Sequence, residues 1–184
     1  MQPEPSEAKP MTPRALEEYR TLRATIRERG TARIWLFVVG LVAWAGLTVA
    51  TAALAAFPVA TLLPLIVLAG TFEAIFSLHT GVERVGRYIQ VFFEGDSDPG
   101  WEHHVMAYGR TSITTSDPLF TPYFVMATVF NFVPVLVAGG VPVEYSIVGA
   151  VHALLIARLF VARRQAARQR AIDLERFEQL KAHG

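Results

Sequence analysis

The side chains of this chain that could do chemistry are few, and they stand alone in long apolar runs. Between Ile34 and Val82 the only ionisable groups are Glu73 and His79. Between Asp117 and Arg158 they are Glu144 and His152, beside the phenols of Tyr123 and Tyr145. Glu73 is the sharpest of them. A carboxylate in so apolar a run must face other helices, hold a proton or meet a cation, because an ionised group facing hydrocarbon is costly. It then serves as a proton or cation relay, as an interhelical ion pair, or more plainly as a hydrogen bond that orients helices. Ser77, Thr80 or Gly81, and Arg84 continue its face at helical spacing, and Arg87 follows one turn later. Asn131 and His152 form a second pair. Each lies about ten residues inside its own apolar run, so antiparallel neighbours would bring them together at mid-depth. Pro134 frees the carbonyl of Phe130 near that depth, for water or Asn131 to satisfy.

Other chemistries find little support. His152 is the one side chain placed to ligate a haem or pigment, but His79 lies at a different depth and cannot complete a bis-histidine site. Glu102, His103 and His104, with Asp96 and Asp98, are metal-capable types. Adjacent histidines on a helix diverge by about 100°, however, and the D-S-D-P-G run lacks the other ligands of an EF-hand, so it reads as a solvated acidic turn. There is no cysteine, which excludes disulfides and thiolate chemistry. No hydrolase elbow, H-E-x-x-H, phosphate-binding loop or dinucleotide fingerprint occurs. A formal net charge of +1 gives nucleic-acid binding no electrostatic basis. The expectation is a chain that is not an enzyme and has neither cofactor nor metal.

The elements that must position these residues are helices in a membrane. Two apolar blocks of roughly 40–50 residues are each long enough for two spans. The reading is an all-α membrane protein with four transmembrane helices as two hairpins, at 32–57, 58–79, 120–140 and 142–162. The turns fall at Phe57-Pro58 and Gly139-Gly140-Val141-Pro142. Of the 17 cationic residues, seven lie at or before Arg33, three are Arg84, Arg87 and Arg110, and seven begin at Arg158. None lies in either turn, so the positive-inside rule puts both termini and the central loop in the cytosol.

Amphipathic helical extensions are expected on the cytosolic side. After a Pro- and Glu-rich N-terminus at 1–12, expected to be disordered, a helix at 13–31 carries Leu16, Tyr19, Leu22 or Arg23, and Ile26 on one face, with Thr12 as N-cap and a break at Gly30. The second span continues through 80–94, with Val82, Val85, Ile89 and Phe92 on one side and Glu83, Arg84, Arg87 and Gln90 on the other. A C-terminal helix at 163–184 shows a stripe of Ala167, Ala171, Leu174, Phe177 or Glu178, and Leu180. The loop at 95–119 is expected to hold a short helix from Trp101 to Met106.

The run from Arg84 to Glu94, R-x-x-R-Y-I-Q-x-F-x-E, followed by Gly100-Trp101-Glu102, resembles a group of small bacterial membrane proteins without an assigned activity. Glu17, Tyr19, Leu22, Arg23 and Ile26 match the helix with which that group begins. The likeness covers roughly residues 14–104 and implies a bacterial inner-membrane location, without catalytic residues to carry over. The expected function is that of a non-enzymatic membrane subunit, structural or for assembly, that contacts lipids and joins copies of itself or a larger complex. Small residues at Gly40 and Gly46, at Ala74, Ser77 and Gly81, and at Gly149 and Ala153 would permit close helix contacts. The alternative is a small oligomeric channel or transporter with Glu73 near the pathway.

Overall fold

The computed structural model describes residues 11–52, 57–94, 100–105, 117–137 and 139–183. The acidic turn residues Asp96 and Asp98, Arg110 and the first ten residues lie outside these ranges. The described residues form helices α1 (Pro13–Ala52), α2 (Leu62–Phe92), α3 (Thr121–Val137) and α4 (Pro142–His183). A 3-10 turn, Pro58–Thr61, leads into α2, and a short helical segment occupies 101–105.

Three stretches, Pro13–Ala52, Pro58–Phe92 and Pro142–His183, are long and apolar enough to cross a membrane. α3 is shorter, at 17 residues. At 1.5 Å per residue α1 and α4 are each about 60 Å long, roughly twice a hydrocarbon core. Each therefore has an apolar half and a charged half. Around the apolar half the outward side chains are large and hydrophobic, among them Ile34, Val42, Ile66, Leu136 and Leu154. A soluble protein does not expose so continuous a surface, and a membrane supplies the apolar surroundings it needs.

One inward seam runs through both halves. On α1 it passes through Tyr19, Arg23, Ile26, Gly30, Arg33, Phe37, Gly40 and Trp44, alternating steps of three and four. On α2 it follows Leu65, Leu68, Phe72, Ile75, His79, Val82, Gly86 and Ile89, and on α4 Val148, His152, Leu155, Leu159, Ala162, Ala166 and Asp173. A 3.5-residue period keeps one narrow stripe facing the same neighbour over any length.

That seam explains where the sequence expectations fail. α1 runs unbroken through Gly30, because a glycine costs about 1 kcal/mol in a helix and seam contacts on either side outweigh it. α4 continues from its apolar half to His183, so the helix expected at 163–184 is present as an extension of the same helix. Its buried face holds Ala166 and Asp173 rather than Ala167 and Ala171, and Leu180 is exposed. On α2, Phe92 is exposed while Arg87 is buried, the reverse of the sides expected.

α2 is the helix that packs on all three others. Against α1 it runs antiparallel, as contacts of Thr71 with Gly40, His79 with Arg33 and Tyr88 with Glu18 show. α4 lies parallel to α2, and α3 antiparallel to α4. Leu68, Phe72, Ile75, Phe124 and Leu159 fill the common core, with Phe37 and Trp44 packed on it.

The helix starts are fixed locally. Thr12 accepts the N–H of Ala15 at 3.2 Å. At α4, Pro142 takes the first position, and Glu144 reaches back to the Val141 N–H at 3.1 Å, the carboxylate half of a capping box. Phe120 precedes α3 with φ at +53°, a strained conformation for a bulky residue. Stacking on Phe37, centroids 4.3 Å apart, holds it there.

A side chain at Gly40 would collide with Thr71, whereas one at Gly46 meets nothing within 4 Å. Gly40→Val is therefore expected to destabilise the detergent-solubilised chain by about 1–3 kcal/mol. Gly46→Val should fall within about 0.5 kcal/mol of the parent, and Thr71→Ala should recover part of the Gly40→Val loss. Thermal unfolding followed by circular dichroism reads all three. Equal losses at the two glycines would refute the close α1–α2 contact.

Candidate functional site

In the apolar half, Asn131 on α3 joins the whole bundle. It is fully buried. Its Oδ1 accepts from Trp44 Nε1 on α1 at 3.1 Å. Its amide nitrogen donates to the carbonyl of Thr61 at 2.9 Å and to His152 Nε2 on α4 at 3.0 Å. His152 Nδ1 in turn donates to the Val148 carbonyl at 2.8 Å. This chain of bonds is complete only for a neutral imidazole protonated on Nδ1. The expected Asn131–His152 neighbours are thus in contact, and Trp44 and Thr61 join them. Asn131 is spent on these partners and does not serve the carbonyl that Pro134 frees. A groove of about 320 Å³ runs beside His152 between α3 and α4, lined by Phe132, Gly149 and Ile156. Both ring nitrogens of His152 are already engaged, so the imidazole presents no free ligand atom to it.

Glu73 has a partner. Its carboxylate meets Arg158 of α4 in a fork, Oε1 to Nε and Oε2 to Nη2, each at 2.8 Å. The Arg158 guanidinium also lies 5.0 Å from the centre of the Phe76 ring. The Glu73 side chain stays 47% exposed, so the pair sits on the outer edge of the α2–α4 contact. A pathway along Glu73 would have to run outside the subunit. Arg84, on the face expected to continue Glu73, contacts Asp173 instead.

The densest polar cluster lies at the charged end, where the residues after α2 fold back onto α1 and α2. Glu94 stands just beyond α2, its N–H bonded to the Ile89 carbonyl. Its carboxylate accepts the N–H groups of Glu102 and His103 at 3.0 and 3.1 Å, and His103 Nδ1 at 2.9 Å. It thereby caps the short helix at 101–105 from a distance. Glu102 then receives Arg23 of α1 at 2.6 Å and Arg87 of α2 at 3.7 Å. Arg87 also donates to Gln90 at 2.5 Å. The side chains of Arg87, Glu94 and Glu102 are 4, 6 and 10% exposed.

Two glycines make room. A Cβ on Gly100 would stand 2.6 Å from the Glu94 carboxyl, and one on Gly86 would stand 2.9 Å from Glu102. Burial draws the Arg87 pKa below its usual value against the pull of Glu83 and Glu102. Burial works against the Glu94 charge as well, but the N–H groups of Glu102 and His103 and the His103 ring outweigh it. The Glu94 pKa falls below its ordinary value.

α4 is tied to the same end. Arg170 reaches Glu83 at 2.7 Å, Asp173 takes Arg84 at 3.4 Å and Gln169 at 2.9 Å, and Lys181 caps the Val91 carbonyl at 2.6 Å. A cleft of about 340 Å³, lined by Glu94, His103, Glu178 and Lys181, opens between the end of α2 and the end of α4. Among the described residues no group of three or more metal-capable side chains converges.

Of the residues singled out in the sequence, Asn131 and His152 come together. Arg84 and Arg87 fall on different contacts, and Glu73 stands apart from all four. No sequence pattern marks Arg158, Asp173 or Trp44 as partners, and Glu102 stands out only as a metal-capable type and in the Gly100-Trp101-Glu102 run. The 3.5-residue seam would have put Asp173, Arg23 and Trp44 inside. Nothing local signals Arg158, which lies 85 positions from Glu73. The fold and site thus define a helical bundle with three helices of membrane-crossing length and a cross-linked charged end. No protein-family model, curated protein or solved structure matches the chain.

Glu102→Ala should destabilise the chain by about 3–5 kcal/mol, because it leaves the buried guanidinium of Arg87 without that carboxylate. Denaturant titration in detergent checks this, and a loss below about 1 kcal/mol would show the cluster to be solvated. Glu94 carries its own pH signature. With a folded pKa below the ordinary 4.5, its contribution is present in full above that value and is lost as pH falls through the folded pKa. Glu94→Gln is expected to flatten the stability profile in that acidic window, as read by unfolding temperature against pH.

Proposed function

We infer that this chain is a non-enzymatic integral membrane subunit that presents a rigid helical platform for assembly, with copies of itself or with a larger membrane complex. In this reading α1, α2, α3 and α4 are four spans in two hairpins of a bacterial cytoplasmic membrane, with both termini in the cytosol. The cation distribution supports that orientation, and 17 residues, about 26 Å of helix, bring α3 to the lower limit for a span. The resemblance to small bacterial membrane proteins agrees with the location.

The observation that carries the functional reading is the buried Arg23–Glu102–Arg87 cluster with Glu94. The polar groups most expensive to bury are committed to one another at the charged end, and they lock the ends of α1 and α2 to the 101–105 segment. Arg23, Arg87 and Glu102 face one another, while Glu94 also borders the cleft at the end of α2. Their product is a fixed outer surface on which Trp101 is 67% exposed. The alternative, a small oligomeric channel or transporter, would place Glu73 between copies, on the exposed edge it shares with Arg158.

Purification from native membranes in mild detergent is expected to give a homo-oligomer or a stoichiometric complex. Trp101→Glu should dissociate it without loss of the helical signal. A monodisperse monomer with no partner would overturn the assembly reading. Since the chain has no cysteine, single cysteines at Val141 and Arg164 report topology directly. An impermeant thiol reagent applied to intact cells should label position 141 and spare 164.

A further inference from the structure

The geometry points to a binding site for the phosphate of an anionic phospholipid between α2 and α4, where their apolar halves meet their charged halves. A cleft of about 410 Å³ opens there. α2 lines it with Phe76, Thr80 and Arg84, one turn apart on a single face, and α4 with Gln165, Arg168 and Ile172. Phe76 belongs to the apolar half, one turn beyond Glu73, and Arg84 to the charged half. Eight residues of helix separate them, about 12 Å, so the cleft spans the depth from outermost hydrocarbon to headgroup in the topology proposed above, on which this site rests.

Its charge is unbalanced. Arg168 makes no hydrogen bond or ion pair with any described residue. Arg84 meets Asp173 only at 3.4 Å, Nε to Oδ2, and its side chain stays 58% exposed. Gln165 accepts from Arg158 through Oε1 at 3.3 Å, so its amide N–H groups remain to donate. The neighbouring Arg158 is neutralised by Glu73, and the Asp173 side chain is turned inward at 7% exposure. Two guanidiniums and an amide donor thus line one cleft.

Guanidinium forks match phosphate oxygens in geometry and in charge. Basic pockets on the cytosolic side of transmembrane helices hold anionic headgroups in this manner, and the anionic leaflet adds about 1 kcal/mol of attraction per basic residue. Phe76 at the upper lip gives the acyl chain an apolar exit. A phospholipid thereby satisfies both ends of the cleft, whereas a soluble phosphate satisfies only the lower one.

The test uses the full chain in mild detergent, with native mass spectrometry and thermal shift as readouts. Titration with phosphatidylglycerol is expected to give bound adducts and a raised unfolding temperature. Phosphatidylcholine and inorganic phosphate at equal concentration should leave both unchanged. Arg168→Gln should weaken phosphatidylglycerol binding by about tenfold, the loss of one charge-assisted contact, while Arg164→Gln, on α4 but outside the cleft, should not. Arg84→Gln should behave as Arg168→Gln does. If it unfolds the chain, Arg168→Gln alone carries the comparison.

Equal weakening by Arg164→Gln, equal retention of phosphatidylcholine, or an equal shift with inorganic phosphate would each overturn the site. So would an acidic protein segment that occupies the cleft in place of lipid. The thiol-labelling pattern at Val141 and Arg164 tests the topology independently, so a failed lipid site and a failed topology give different results.

Discussion

A transmembrane bundle cannot rely on the hydrophobic effect to press its helices together, since lipid solvates apolar side chains as well as protein does. Close packing and polar cross-links must then set which helix meets which, and at what height. Here α2 carries most of those cross-links. On one side Thr71, His79 and Tyr88 key it to Gly40, Arg33 and Glu18 of α1. On another, Glu73, Glu83, Arg84 and Val91 key it to Arg158, Arg170, Asp173 and Lys181 of α4, with sequence separations of 85, 87, 89 and 90. The nearly constant separation is the signature of two parallel helices in fixed register. A slip of one residue would break every contact in the series at once.

The interior polar groups obey the same constraint more strictly. Asn131 contributes one acceptor and one amide nitrogen, and both are engaged by groups from α1, the start of α2, and α4. Single contacts of this kind are weak, about 0.6 kcal/mol on average in a measured membrane protein. Their value lies in direction. A fully satisfied asparagine fits one mutual arrangement of four elements, while an apolar residue of similar volume would tolerate many. Glu73 and Arg158 solve a different problem. Near the edge of the apolar half the pair forms a fork, which reduces the cost of holding either charge there and still leaves both partly open.

Much of this architecture is legible in the amino-acid order, and the remainder is hidden for identifiable reasons. Apolar runs and the cation distribution give helices and their expected orientation, because those properties add up over many residues. The 3.5-residue seam is also visible, for instance in His152, Leu159, Ala166 and Asp173. It cuts across the usual rule that charge marks the outer face. That rule puts Arg87 and Phe92 on the wrong sides, since a buried guanidinium depends on Glu102, fifteen positions away and beyond the end of the helix. Gly30 suggests a break only if the helix is judged by local propensity. A 40-residue helix is held by the sum of its contacts, against which one glycine is small. Arg158 shows the limit most plainly, because no local pattern ties it to Glu73.

The charged end then acquires its character from what encloses it. Glu94 caps the 101–105 segment, that segment supplies Glu102, and Glu102 gathers Arg23 and Arg87. Removing Glu102 leaves the buried charge of Arg87 without that counter-charge. A Cβ at Gly100 or Gly86 would crowd those carboxylates, so both glycines belong to the same physical unit. A surface held in this way loses little conformational freedom when something docks on it. In the assembly proposed above, affinity would be governed more by the fit of exposed side chains such as Trp101 than by the entropy of ordering the helices beneath them. The cost of burying the ion pairs is met once, when the chain folds, so any association of the kind proposed would start from that preformed state.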